Sequence, residues 1–302
     1  MTPVVEIALF LVIGRALAGL RRLPADMSAA LSAWVLYVAW PAAALNSAQY
    51  VRWEGAMLGA AAWLWSVFAV AIAGCVAAIV LLGWKRATAG AVMLTSGTGS
   101  TAGFALPFIE RYCGADCMAM AIVLAVLGSA LAFSVLGVAA GCVMSQGRVC
   151  LRTIARRVLT LPPLVALLVG ALLPSGVLPE VVLTASADLA RTLTPVAVVG
   201  IGMHLKGFPP RAQLTPLAVG LVFRLIAAPA LILAGLMLIG QADAAATKLL
   251  VLLAAMPPLV SAVALAREFG MEHDLSARMA ALGAALALMT VPVWGMTLEY
   301  LL

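Results

Sequence analysis

The sequence predicts an all-α integral membrane protein of ten transmembrane helices, built from two copies of a five-helix unit in opposite orientations. Three observations carry that prediction. Hydrophobic residues make up 65% of the 302 and charged residues only 10%, with a mean hydropathy of +1.15, far from the composition of a globular domain. Ten apolar stretches approach the ~20 residues needed to cross roughly 30 Å of hydrocarbon: 3–20, 28–48, 56–83, 87–109, 117–144, 158–177, 181–205, 213–239, 246–268 and 277–302. The chain also matches itself about 155 residues further on. Gly14 in Leu11-Val12-Ile13-Gly14 answers to Gly170 in Leu167-Leu168-Val169-Gly170, Leu23-Pro24 to Leu178-Pro179, Pro41 to Pro195, and Arg111-Tyr112-Cys113-Gly114 to Arg267-Glu268-Phe269-Gly270. Four matches in one order, offset by 154–156 residues, divide a single membrane domain into repeats 1–150 and 151–302. Five spans per repeat is an odd number, so the second repeat is inverted. Inverted repeats are an architecture of secondary transporters, which hold their substrate at the repeat interface.

Each stretch has its own grounds. Span 1 has no basic region ahead of it and is long enough to stay in the membrane, so a cleaved signal peptide is not expected. Its Arg15 lies about 9 Å from Arg21 along a helix and is expected to snorkel. In span 2, Pro41 stands inside an apolar run. Spans 3 and 5 exceed a bilayer's thickness and call for tilt or overhang. Span 6 follows the longest polar stretch, Ser145–Arg157, whose 13 residues leave no room for a soluble domain. Span 7 holds Asp188 and Arg191, three apart and able to pair on one helix face. Asp188 is also the one carboxylate deep in a span, hence the candidate for coupling to a proton or sodium ion. Span 8 carries Arg224 half-way along Leu221-Val222-Phe223-Arg224-Leu225-Ile226. A charge at that depth is expected to face a cavity or offset the negative ends of broken helices, with snorkelling to the interface as the alternative.

Basic residues orient the spans. The loops after spans 1, 3, 5, 7 and 9 hold Arg21, Arg22, Lys85, Arg86, Arg148, Arg152, Arg156, Arg157, Lys206, Arg211, Arg267 and Arg278, while the other side holds Arg52, Arg111 and Lys248. Twelve against three puts the first set in the cytoplasm and both termini outside. The formal net charge of +6 thus follows from topology and calls for no nucleic acid; contact with lipid headgroups is the alternative reading of the cytoplasmic arginines. Cys75 and Cys142 read as small core residues. Cys113 and Cys117 stand four apart, where a disulfide or a metal site is conceivable, but no Cys or His cluster accompanies them, so neither is expected, nor is any cofactor.

The chemistry concentrates in spans 4 and 9. Span 4 contains Thr95-Ser96-Gly97-Thr98-Gly99-Ser100-Thr101-Ala102-Gly103, followed by Phe104-Ala105-Leu106-Pro107. Glycine lowers helix propensity and proline removes a hydrogen bond, so the helix should break there. Irregular backbone at membrane depth survives where it is buried in protein or lines a wet cavity. Span 9 breaks at Met256-Pro257-Pro258, and the 156-residue offset sets Ser100-Thr101 against Met256-Pro257. Breaks at matching places in two halves are the sequence sign of a transport site. Scattered glycines such as Gly128, Gly137 and Gly220 read instead as packing surface. A phosphate-binding reading of the glycine run fails, because no Gly-Lys-Ser/Thr follows. Each second half-helix starts near the bilayer centre, so two positive helix ends converge there and favour an anion.

Four stretches resemble the auxin efflux carrier family, whose bacterial members include malonate and malate transporters: Leu36-Tyr37-Val38-Ala39-Trp40-Pro41; Gly99 to Pro107; Ala254-Ala255-Met256-Pro257-Pro258 with Ala264 to Gly270; and Thr290-Val291-Pro292-Val293-Trp294. The resemblance spans all ten helices. It implies broken helices 4 and 9 that cross, in a mobile unit moving against a scaffold of spans 1, 2, 6 and 7. Where the family usually has asparagine, this chain has Ser100 and Ser261, and a hydroxyl has fewer donors and shorter reach than an amide; auxin itself is therefore not expected. Arg224 matches a frequent basic position. The expectation is a secondary carrier of a small organic anion, a mono- or dicarboxylate, in the cell inner membrane. Candidate substrate-binding residues are Ser96, Thr98, Gly99, Ser100, Thr101, Pro107, Arg224, Pro257, Pro258 and Ser261. A coupled antiporter or symporter using Asp188 is the alternative. A channel lacks a ring of charge, an intramembrane enzyme lacks a base beside a nucleophile, and a sensor lacks an output domain. Membrane lipid is the other expected partner; the sequence leaves the oligomeric state, a homodimer included, open.

Overall fold

The computed structural model describes residues 3–20, 23–24, 26–51, 53–174, 176–205, 209–240 and 243–302. Arg21, Arg22, Arg52 and Lys206, used above to orient the chain, lie outside the described residues. Among those described are thirteen helices: α1 (Pro3–Ala18), α2 (Met27–Tyr50), α3 (Ala56–Leu82), α4 (Arg86–Gly97), α5 (Leu106–Cys113), α6 (Ala115–Gln146), α7 (Leu151–Leu159), α8 (Pro162–Leu172), α9 (Glu180–Met203), α10 (Arg211–Ile239), α11 (Ala244–Ala254), α12 (Ser261–Glu268) and α13 (His273–Leu301).

Six of them (α2, α3, α6, α9, α10 and α13) are long and apolar enough to cross a membrane, and α7 with α8, bent by 55°, makes a seventh if counted as one span. The other expected spans are shorter pieces. Stretch 3–20 is a helix of 16 residues. Stretches 87–109 and 246–268 are each two half-helices separated by irregular backbone, as the glycine cluster and the proline pair require. The polar stretch before span 6 differs from its sequence reading. Its second half forms α7, in which Leu151, Ile154 and Val158 alternate with Arg152, Arg156 and Arg157 at helical spacing, and no residue is buried.

The helices pack as two groups. In one, α8 lies along the C-terminal half of α2, α1 along the C-terminal half of α9, and α9 along α2. Two glycines allow the first two contacts. A Cβ on Gly14 would sit 2.9 Å from the Gly202 Cα of α9, and one on Gly170 would sit 2.8 Å from the Leu45 carbonyl oxygen of α2. These are the glycines that the sequence comparison sets 156 residues apart, one bringing α1 onto α9 and the other α8 onto α2.

In the second group α4 packs on α3, α10, α12 and α13, and α11 packs on α3 and α10. Its core includes Phe104 and Phe108, with ring centroids 5.8 Å apart, and Leu249 to Met256. Uncovered side chains such as Leu58, Val80, Leu172, Leu238 and Met289 face outward from the bundle. Lipid tails are as apolar as leucine, so close packing and polar contacts rather than expulsion from water hold such helices together. One such contact repairs a helix. Pro229 has no N–H for the Leu225 carbonyl, and the Trp294 indole donates to it instead at 2.9 Å.

Contacts also sort the two ends of the molecule. At one end Arg157 of α7 meets Glu268 of α12 at 3.1 Å, and Thr88 of α4 donates to Glu272. At the opposite end of the long helix α6, Arg111 lies 3.8 Å from Glu299.

Candidate functional site

The two breaks touch through their backbones. The Ser100 N–H donates to the Pro257 carbonyl at 2.7 Å, and Gly99 faces Pro258 as an isolated antiparallel bridge. Proline explains why these groups are available: Pro257 and Pro258 have no N–H to continue the turn, so carbonyls at the end of α11 lose their helical donors.

Arg224 supplies the replacement. It lies in a widened turn of α10, Phe223–Ala227, and is 2% exposed. Its Nε donates to the Met256 carbonyl at 2.8 Å and its Nη2 to the Leu253 carbonyl at 3.3 Å. The Leu253 carbonyl is the one a residue at 257 would have served, had it carried an N–H. The guanidinium therefore caps the negative end of α11, where a cation is favoured. Gly99 makes room for it: a Cβ there would lie 3.0 Å from the Arg224 Cζ and closer still to Nη2.

A cavity begins at this junction. Its inner pocket, of about 60 Å³, is lined by Ser100, Ala102 and Gly103 of the first break, Leu259, Val260 and Ser261 of the second, Ser32, Leu36 and Trp40 of α2, and Val196, Ala197 and Gly200 of α9. It shares Ser32, Leu36, Trp40 and Leu259 to Ser261 with a wider cavity of about 650 Å³, whose walls reach Arg157, His204, Arg267 and His273. The space thus lies between the two helix groups and leads to the end bearing the Arg157–Glu268 pair. Among the described residues, the amides of Ala102, Gly103, Val260 and Ser261 find no acceptor. They precede or start the half-helices α5 and α12, and all four residues line one small space, which the N-terminus of α12 enters through Val260 and Ser261. Serine hydroxyls and an apolar wall of Leu36, Trp40 and Val260 complete it. Such a pocket suits a small anion with an apolar portion.

The sequence candidates divide. Gly99, Ser100, Arg224, Pro257, Pro258 and Ser261 meet at the junction, but only Ser100 and Ser261 among them line the cavity. Ser96 is buried, its hydroxyl donating to the Val92 carbonyl at 2.7 Å. Thr98 is buried with no partner for Oγ1 among the described residues. Thr101 is buried, its N–H donating to the Gly99 carbonyl at 2.9 Å. Pro107 stands in the first turn of α5, where its missing N–H costs nothing. Asp188 lies outside the cavity walls, 61% exposed and 2.8 Å from Arg191, the pairing its spacing allowed. Cys113 and Cys117 are free thiols, and no cluster fit for a metal occurs among the described residues. Trp40 and Ser32 were not singled out in the sequence. Their signal was the stripe Ser28, Ser32, Leu36 and Trp40, four apart, which places one face of α2 on the cavity.

Residues 1–295 match a family described as membrane transport protein. No individual curated protein matches the chain.

Proposed function

The chain belongs to the auxin efflux carrier family of membrane transport proteins, and we propose that it is a secondary carrier of a small organic anion working by alternating access. The family is one of transporters rather than enzymes, and the chain is a multi-pass membrane protein. The observation that carries the proposal is the cavity that ends where the two broken helices meet and leads to one end of the molecule. In this reading the protein is caught open to the cytoplasm. α1, α2, α8 and α9 form the scaffold, and the group containing both breaks moves against it. Counting α1, α4 with α5, and α11 with α12 as spans gives ten, five per repeat. The exchanged contacts of Gly14 and Gly170 support the inversion.

The anion would be held by the hydroxyls of Ser32, Ser100 and Ser261 and by the unspent amides of Gly103 and Val260. Arg224 would act through the backbone it caps, keeping the second break open. A carboxylate fits these donors, and the wall of Leu36, Trp40 and Val260 takes its carbon portion.

A thermal-shift screen of the purified protein against mono- and dicarboxylates tests the reading, followed by uptake of the best ligand into proteoliposomes. A ligand at 100 times its dissociation constant stabilises its bound state by about 2.7 kcal/mol. At least one carboxylate should raise the melting temperature and be taken up. A screen in which none does either would overturn the proposal.

A further inference from the structure

The wall of the wider cavity carries one charged side chain that the protein itself does not use. Its charged side chains and histidines are Arg157, Arg267, Asp274, His204 and His273. Arg157 is engaged by Glu268 at 3.1 Å, Asp274 lies 3.8 Å from His273, and both Asp274 and His204 have a further partner. Arg267 is exposed and, among the described residues, its side chain makes no hydrogen bond or ion pair.

Its position is as informative as its charge. Arg267 sits in the last turn of α12, the half-helix whose first residue, Ser261, lines the inner pocket. Ser261, Ala264 and Arg267 all line the wider cavity. Steps of three keep them near one helix face, and six residues at 1.5 Å put the arginine about 9 Å from the serine along the axis.

We propose that Arg267 is a recruitment subsite for a carboxylate, holding the organic anion at the mouth of the cavity before it moves along α12 to the junction of the breaks. The inference rests on the carrier reading above. A guanidinium fork matches a carboxylate with two parallel hydrogen bonds. A positive charge inside a concave, low-dielectric wall raises the local concentration of anions. In the alternative role, a cation turned onto the carbonyls at the end of α12 for stability, the charge is spent on the helix end and its removal leaves anion access unchanged. That difference decides the test.

The test places a cysteine at Ala264, midway along the track, in the full-length protein. Its modification by two methanethiosulfonate reagents, the anionic ethylsulfonate and the neutral hydroxyethyl compound, is followed by mass spectrometry of the peptide containing residue 264, so the native cysteines stay in place. A unit charge about 7 Å away changes the local concentration of a monovalent anion roughly three-fold even at the dielectric constant of water. Arg267→Gln should therefore slow the anionic reagent about three-fold or more and leave the neutral one unchanged. Arg267→Lys should keep most of the preference. Raising salt from about 10 mM to 1 M, which shortens the screening length from roughly 30 to 3 Å, should bring the parent down to the Gln variant. Arg191→Gln, which removes the same charge from the scaffold surface, should leave the ratio as it was. An unchanged ratio in Arg267→Gln, or an equal fall in Arg191→Gln, overturns the proposal. Failure of the neutral reagent to reach residue 264 would instead mean that the cavity is closed to water, and would sink the carrier reading with it.

Discussion

Adding one methyl group at Gly99 should damage the junction of the breaks. A Cβ at that position would overlap the Arg224 Nη2, lie 3.0 Å from Cζ, and lie 3.0 Å from the Met256 Cβ. The guanidinium is the flexible end of a long side chain, but it is 2% exposed and tied to two carbonyls. It can make room only by leaving them. Charge-assisted hydrogen bonds contribute about 1.5–3 kcal/mol each, and a buried charge stripped of its partners costs about 3–5 kcal/mol. Partial retention of one bond brings the expected loss for Gly99→Ala to about 2–5 kcal/mol. Gly59 of α3 is the internal control, because a Cβ there meets nothing within 4 Å. Gly59→Ala should stabilise by up to about 1 kcal/mol through helix propensity alone. Denaturant unfolding in mixed micelles, read by tryptophan fluorescence, measures both. In an Arg224→Met background the Gly99→Ala loss should shrink, since the main obstacle has gone and neighbours that share a contact are not additive. Equal stabilities for the Gly99 and Gly59 variants, or an undiminished loss in the Arg224→Met background, would refute the claim that Gly99 exists to seat the guanidinium.

Two further outcomes follow from the same geometry. Arg224→Ala leaves the Leu253 and Met256 carbonyls without donors and should abolish uptake, while Arg224→Lys should retain part of it, because an ammonium keeps the charge but not the fork; full uptake by the Ala variant at normal expression would remove Arg224 from the mechanism. Single cysteines replacing Lys248 and Arg152 should report opposite sides of the membrane in intact cells, the first labelled from outside and the second not, and the reverse pattern would invert the orientation.

The breaks were legible in the sequence because two adjacent prolines, Pro257 and Pro258, remove two successive amides, whereas single prolines such as Pro216 and Pro292 leave their helices continuous. The repeat then brought Ser100-Thr101 and Met256-Pro257 into register, close to the observed bond from Ser100 to Pro257. Tertiary partners were less legible. Arg224 was open to two readings, and only the direction of its guanidinium shows that it caps α11 rather than lining the pocket. Ser96 and Thr101 looked equivalent to Ser100 in a run of hydroxyls, yet helix phase and the turn after Gly97 bury them and leave Ser100 on the cavity. α7 was obscured because its arginines read first as a topological signal, which left their helical spacing with Leu151, Ile154 and Val158 unused. The α2 wall was missed for a related reason: the spacing of Ser28, Ser32, Leu36 and Trp40 marks a shared helix face but not what that face meets.

The central claim is that the two breaks form one binding site, and a double-mutant cycle in substrate affinity tests it most directly. Ser100→Ala removes a hydroxyl from the pocket. Pro258→Ala restores an amide and relieves the ring clash, a change worth up to ~3 kcal/mol in an ordinary helix interior, and so draws the second break toward a continuous helix. Titration calorimetry with the carboxylate found in the thermal screen gives the affinities of the parent, both single variants and the double. The account predicts weaker binding in each single variant and losses that fall short of additive in the double, as for groups in one contact network. Strictly additive losses, or unchanged affinity in both single variants, would contradict it.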